Sequence, residues 1–82
     1  MTILDEAAAI VAGDRQSAYG TPGESWGRTA ALWSAILGVD VTPHQAVLCM
    51  IALKLSREAH RHSRDNLVDI AGYAAIAEVV NR

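Results

Sequence analysis

Phenylalanine is absent from this 82-residue chain, and cysteine and lysine each occur once. With no Phe and only two Trp and two Tyr, a large aromatic core is excluded, and the abundant alanine favours close packing of helices. The single cysteine, Cys49, excludes an intrachain disulfide; inside AVLCMIAL it reads as a small buried hydrophobe rather than a reactive thiol. No apolar run approaches the ~18 residues of a membrane-spanning helix, and Asp5 and Glu6 stand where a signal peptide carries positive charge. The expectation is a cytoplasmic protein with no membrane partner. An excess of positive charge is also missing: seven Lys and Arg face nine Asp and Glu, for a net charge of −2, which argues against duplex nucleic acid as a partner. Charge of either sign is scarce, 20% of residues against 51% hydrophobic, so a second copy of the chain is expected to cover some of the apolar surface.

What is present reads as one helical domain over residues 1–82. Four segments, approximately 3–12, 22–37, 43–60 and 65–81, carry helical patterning, so the fold class is all-α, a bundle of about four helices completed by homo-oligomerisation. Thr2 caps the first segment with Asp5 three residues on, and Gly13 ends it. TPGE at residues 21–24 and TPHQ at 42–45 repeat one capping logic: a Thr N-cap, Pro at the first helical position, and Glu24 or Gln45 closing the box. In the second segment Trp26, Thr29, Ala30, Trp33, Ile36 and Leu37 share a face, and Gly38 is the stop. The third is apolar on all sides from Ala46 to Leu53, as in a helix central to its bundle or held between subunits. Ser63 or Asp65 is placed to cap the fourth.

Two regions carry polar groups that packing alone does not demand. The loop GDRQSAYGTPG offers Arg15 and Tyr19 as binding groups; the alternative is a surface connection with Tyr19 folded onto the core. The bend HRHSRD, if it joins the third and fourth segments as an antiparallel hairpin, brings Lys54 and Glu58 near Asp65 and Asp69, with Tyr73 one turn below Asp69. Carboxylates on facing helices suit a magnesium ion, which takes oxygen ligands and bridges to phosphates. Arg57, Arg61 and Arg64 present forked donors for phosphate oxygens. Glu58, Asp65 and Asp69 are therefore candidate metal ligands, and Lys54 and Arg57 candidate substrate-binding groups. Against this stands a structural reading: Asp65 favours a helix N-terminus through the dipole, Asp69 partners Lys54, and Lys54 snorkels at the bundle edge. His60 and His62 alone are too few ligands for zinc.

The stretches GDRQSAYGTPGESWGRTAALWSAILG and LKLSREAHRHSRDNLVDIAGYAAIAE resemble a family of small phage and prophage proteins of unassigned function, which is similar to the MazG-like all-α nucleoside triphosphate pyrophosphohydrolases. The resemblance rests on Arg15, Tyr19 and Gly20 in the loop, Lys54 and Arg57 on one helix, and DNLVDIAGY at residues 65–73. It implies an oligomeric helical protein, in the host cytoplasm if phage-encoded, that takes a nucleotide or nucleotide-derived small molecule. It further implies Mg2+ as cofactor and cleavage of a nucleoside triphosphate to monophosphate and pyrophosphate. In that reaction Glu58 and Asp69 would be catalytic, Glu58, Asp65 and Asp69 would hold the metal, and Lys54, Arg57, Arg15, Tyr19 and Tyr73 would bind substrate. The chain departs from the enzymes' acidic pairs: Asn66 replaces a carboxylate in NLVD, and no E-x-x-E occurs. Three functions therefore stand side by side: a magnesium-dependent pyrophosphohydrolase, a non-catalytic nucleotide-binding or nucleotide-signal-sequestering protein, and a structural helical module that binds a phage or host protein.

Overall fold

The computed structural model describes residues 1–13 and 19–81, and among these it contains no strand and four helices: α1 (Ile3–Ala12), α2 (Pro22–Leu37), α3 (Pro43–His60) and α4 (Arg64–Val80). The bounds are those expected from capping chemistry, with α4 displaced by one residue at each end. At α1 and α3 the capping boxes are complete: Thr2 and Thr42 accept the N–H groups of Asp5 and Gln45, whose side chains accept the cap residues' N–H in return. At α2 the box differs in one bond. Thr21 accepts the Glu24 N–H at 3.2 Å, but the Glu24 carboxylate takes the Thr21 hydroxyl at 2.9 Å instead of the cap backbone. Gly38 ends α2 in the left-handed region, with φ 72°, and its N–H donates to Ser34 O.

The start of α4 departs from expectation more clearly. Ser63 occupies the N-cap position, yet its side chain makes no capping bond, and neither does that of Asp65. The turn is held from across the hairpin. Glu58, near the end of α3, accepts the Ser63 N–H at 2.9 Å and the Asn66 side-chain amide at 3.2 Å, and also receives His62. These partners hold the Glu58 carboxyl down at about 2, the His62 hydrogen bond contributing most and Ser63 next.

Helix α4 is the hub. It packs most extensively on α3 and α1 and more lightly on α2, while α2 leans chiefly on α3. Three polar contacts fix this arrangement. His44 Nδ1–H donates to the Ala77 carbonyl (3.1 Å), tying the start of α3 to the end of α4. Arg64 reaches back to Glu6 and to the Met1 carbonyl, clamping α4 to α1. Ser34 accepts the Val41 N–H at 2.8 Å and donates to Ala30 O at 2.7 Å, which closes the α2–α3 turn.

The core so enclosed is thin. Among the described residues its buried hydrophobic members are Ala7, Ala30, Ala46, Val47, Val68 and Ala77, and Val47 is the largest side chain fully out of solvent. Two expectations are corrected here. Helix α3 is not central to the bundle of one chain, since only Ala46 and Val47 are buried, and Cys49, expected to be buried, is exposed because it lies on the side turned away from the enclosed core; the alternative, a helix held between subunits, concerns contacts beyond one chain. The apolar stripe of α2 likewise runs past its packing partners, leaving Ile36 and Leu37 outside.

Candidate functional site

A pocket of about 400 Å3 opens where α1, α2 and α4 meet. Ala7, Ile10 and Val11 supply one wall, Pro22, Ser25 and Trp26 a second, and Val68, Asp69, Gly72, Tyr73 and Ile76 a third; Tyr19 and Gly20 form the rim. The volume lies within the ~300–1,000 Å3 range of small-molecule sites. Its shape follows from local sequence. Gly72 sits buried in the middle of α4, where a Cβ would stand 3.6 Å from Val11 Cγ2 and 4.0 Å from Ala7 Cβ. Ala7 and Gly72, both small and buried, thus face each other where α1 meets α4 at the pocket's base, with room for a methyl group at Gly72. Gly20, with φ 89°, turns the chain into α2 at the rim.

The aromatic groups of the pocket form a unit. Trp26 and Tyr73 meet edge to face, with ring centroids 5.9 Å apart and planes at 84°. Both are half-buried and line the pocket. One turn from Tyr73, Asp69 brings a carboxylate into the same wall, and Lys54 Nζ lies 2.9 Å from its Oδ2. The Lys54 and Asp69 side chains are 15% and 24% exposed. At the rim Tyr19 is exposed, and its carbonyl accepts Arg28 Nη2 at 2.8 Å.

The residues singled out by sequence divide accordingly. Lys54 and Asp69 meet across the hairpin, as the antiparallel pairing of α3 and α4 predicts, and Asp69 and Tyr73 line the pocket together. Tyr19 reaches the same pocket from the loop. Arg15 lies outside the described residues. Glu58, Asp65 and Arg57 do not join this group. Glu58 is committed to the Ser63–Asn66 turn, Asp65 is exposed on the first turn of α4, and Arg57 is exposed near the end of α3. Arg64 is drawn to α1 by Glu6, away from any phosphate cluster with Arg57 and Arg61. Among the described residues no set of three or more His, Cys, Asp or Glu is placed to hold a metal ion. The three carboxylates expected to hold magnesium do not converge: Glu58 is committed to His62, Ser63 and Asn66, Asp69 faces the Lys54 ammonium, and Asp65 is exposed outside the pocket. Sequence reading missed Trp26 and Gly72 as site residues. Trp26 reads from its spacing as part of the shared face of α2. Gly72 carried a usable signal, since a helix-interior glycine costs ~1 kcal/mol relative to alanine and calls for a packing reason.

The family described as "Domain of unknown function (DUF6378)" matches residues 2–81. The Gene 55 protein of Mycobacterium phage L5 is 41% identical over 80 residues, covering 95% of this chain and 51% of that protein. The Gene 55 protein of Mycobacterium phage D29 is 33% identical over 78 residues, covering 94% of this chain and 52% of that protein. The chain thus spans about half the length of these curated relatives. Neither their names nor the family description states an activity or a ligand. No solved structure matches the chain. Among the described residues no helix is long and apolar enough to cross a membrane.

Proposed function

Since the chain belongs to the DUF6378 family of phage proteins of unknown function, we propose a role from its own pocket: it binds the ring-bearing part of a nucleotide or nucleotide-derived molecule, without hydrolysing it. The observation that carries this reading is the convergence of Trp26, Tyr73 and Asp69 on one 400 Å3 cavity. An aromatic pair offers contact area to a planar heterocycle at little entropic cost. The Asp69 carboxylate accepts hydrogen bonds only, so it selects a ligand that presents N–H or O–H donors, as a base edge or a ribose does. The same carboxylate repels a phosphate, which belongs instead at the mouth, on the side of Tyr19 and the Arg28 guanidinium. Binding without turnover accords with the carboxylates' commitments, since neither Glu58 nor Asp69 is available to activate water through a metal.

Titration calorimetry against nucleosides, nucleoside monophosphates and triphosphates, with and without magnesium, tests this. The expected result is micromolar affinity, ~8 kcal/mol of binding free energy, unaffected by magnesium and with no product by chromatography. Trp26 fluorescence in a Trp33→Phe background should change on binding, and Asp69→Asn should weaken it at least tenfold. Absence of binding at millimolar ligand overturns the reading. Release of pyrophosphate with magnesium would replace it with the hydrolytic one.

A further inference from the structure

We infer that the outward face of α3 is a two-fold interface with a second copy of this chain. Leu48, Ala52, Leu55 and Ala59 recur along α3 at spacings of four, three and four, and all four are exposed. Leu48 and Leu55 retain 46% and 55% of their surface in solvent. From residue 45 to residue 56 no exposed position of α3 carries a charge; Cys49 and Ser56 flank the stripe. A solvent-facing helix ordinarily places its charges on this side, and here Lys54 and Glu58 are turned the other way, toward α4.

Two further observations select a second copy as the occupant. The first is area. The chain exposes 5513 Å2 at 8.7 kDa, whereas a folded monomer of that mass exposes about 4,700 Å2. The excess, about 800 Å2, belongs to the whole chain, and the α3 stripe shares it with exposed apolar residues such as Ile36 and Leu37; its size is what one partner contributes to a standard interface. The radius of gyration agrees: 13.0 Å against about 11.7 Å for a compact chain of this length. The second is the pattern itself. Large and small residues alternate along the stripe, so two α3 helices packed antiparallel place Leu48 of one copy against Ala59 of the other, and Leu55 against Ala52. Each leucine then meets an alanine, a self-complementary match that satisfies a two-fold axis with one helix type. This inference is independent of the pocket, which opens among α1, α2 and α4.

Sedimentation equilibrium on the 82-residue chain tests it between ~1 and ~500 µM, the range in which mass action resolves a modest dimer. The expected mass at the upper end is twice 8.7 kDa. Leu55→Glu and Ala52→Glu should each halve that mass while the helical circular dichroism persists. Leu4→Glu, at a 73% exposed position of α1, should leave the dimer intact. Should both α3 variants fail to fold, the unmodified chain still decides: the reaction of Cys49 with a thiol reagent should accelerate at least tenfold on dilution through the dissociation midpoint. A mass of 8.7 kDa throughout, a dimer that survives both folded α3 variants, or a Cys49 rate independent of concentration overturns the inference.

Discussion

Replacing Lys54 with methionine removes the ammonium and keeps most of the apolar stem, so it isolates the charge that faces Asp69. The two groups are 2.9 Å apart and their side chains are 15% and 24% exposed. At an effective dielectric of ~20, two charges at that separation attract by about 6 kcal/mol. Desolvating them costs several kcal/mol apiece, so little of the attraction survives as net stability. Loss of one partner is a different quantity. It leaves the other charge under cover and unpaired, at ~3–5 kcal/mol for a buried pair and ~0.2–1 kcal/mol for an exposed one. With most of both side chains covered, Lys54→Met should cost about 2–3 kcal/mol, a fall of roughly 10–20 °C in Tm for a domain of this size. Lys54→Met with Asp69→Asn should recover part of that, giving a coupling energy of about 1–2 kcal/mol.

The assay is urea denaturation of the four proteins in the cycle, followed by circular dichroism at one fixed protein concentration, since an associating chain changes stability with concentration. A Lys54→Met variant within ~0.5 kcal/mol of the parent, with coupling near zero, refutes the reasoning, because that is the range of an ordinary surface pair. It would also mean that Asp69 is held loosely enough to serve as a metal ligand, which would undo the case against magnesium.

The remaining predictions concern the hub and the hairpin turn. Gly72→Ala should stabilise the chain by ~0.5–1 kcal/mol through helix propensity, because the added methyl meets Val11 Cγ2 at 3.6 Å, an ordinary contact; a loss of stability by thermal melting would show that α1 and α4 are closer than the structure places them. Glu58 should make stability depend on acid. Its native carboxyl titrates at about 2 against an ordinary 4.5, so the unfolded chain takes up the proton first, and its contribution is complete above pH ~4.5 and lost as pH falls toward 2. The Tm difference between the parent and Glu58→Gln should therefore narrow across that interval, and a difference that stays constant from pH 6 to below pH 3 contradicts the assigned hydrogen bonds.

What was legible in the sequence was local. Thr2, Thr21 and Thr42 announce three helix starts because a cap is made within four residues of chain. The antiparallel pairing of α3 and α4 followed from the short HRHS bend, and with it the meeting of Lys54 and Asp69. What escaped was decided by distant partners. Glu58 reads as a lone carboxylate among arginines, yet it holds the turn into the next helix by accepting the Ser63 N–H and the Asn66 amide, where sequence points to a cap from Ser63 or Asp65. Arg64 reads as one of a phosphate-binding cluster, yet Glu6, 58 residues away, claims it. Apolarity all round α3 was ambiguous for the same reason: composition reports how much surface wants cover and is silent on which element supplies it.

Asp69 shows why the polar start of α4 resisted assignment from periodicity. A carboxylate in the second turn of a helix lies beyond the reach of the N-terminal dipole, which fades within the first turn. It therefore needs a partner, and Lys54, the one lysine in the chain, meets that need from the facing helix. The pair is then fixed at the junction of α3 with the pocket wall, and two consequences follow from one contact. Asp69 joins the wall of a cavity whose other lining is largely apolar and aromatic. It is also neutralised from behind, which lowers its value as a ligand for a divalent cation while leaving its acceptor capacity for a hydrogen-bond donor. Under the proposed function, structural pairing and ligand recognition are thus the same arrangement seen from two sides. A substitution that abolished the ion pair would be expected to alter the pocket's choice of ligand and the stability of the hairpin together.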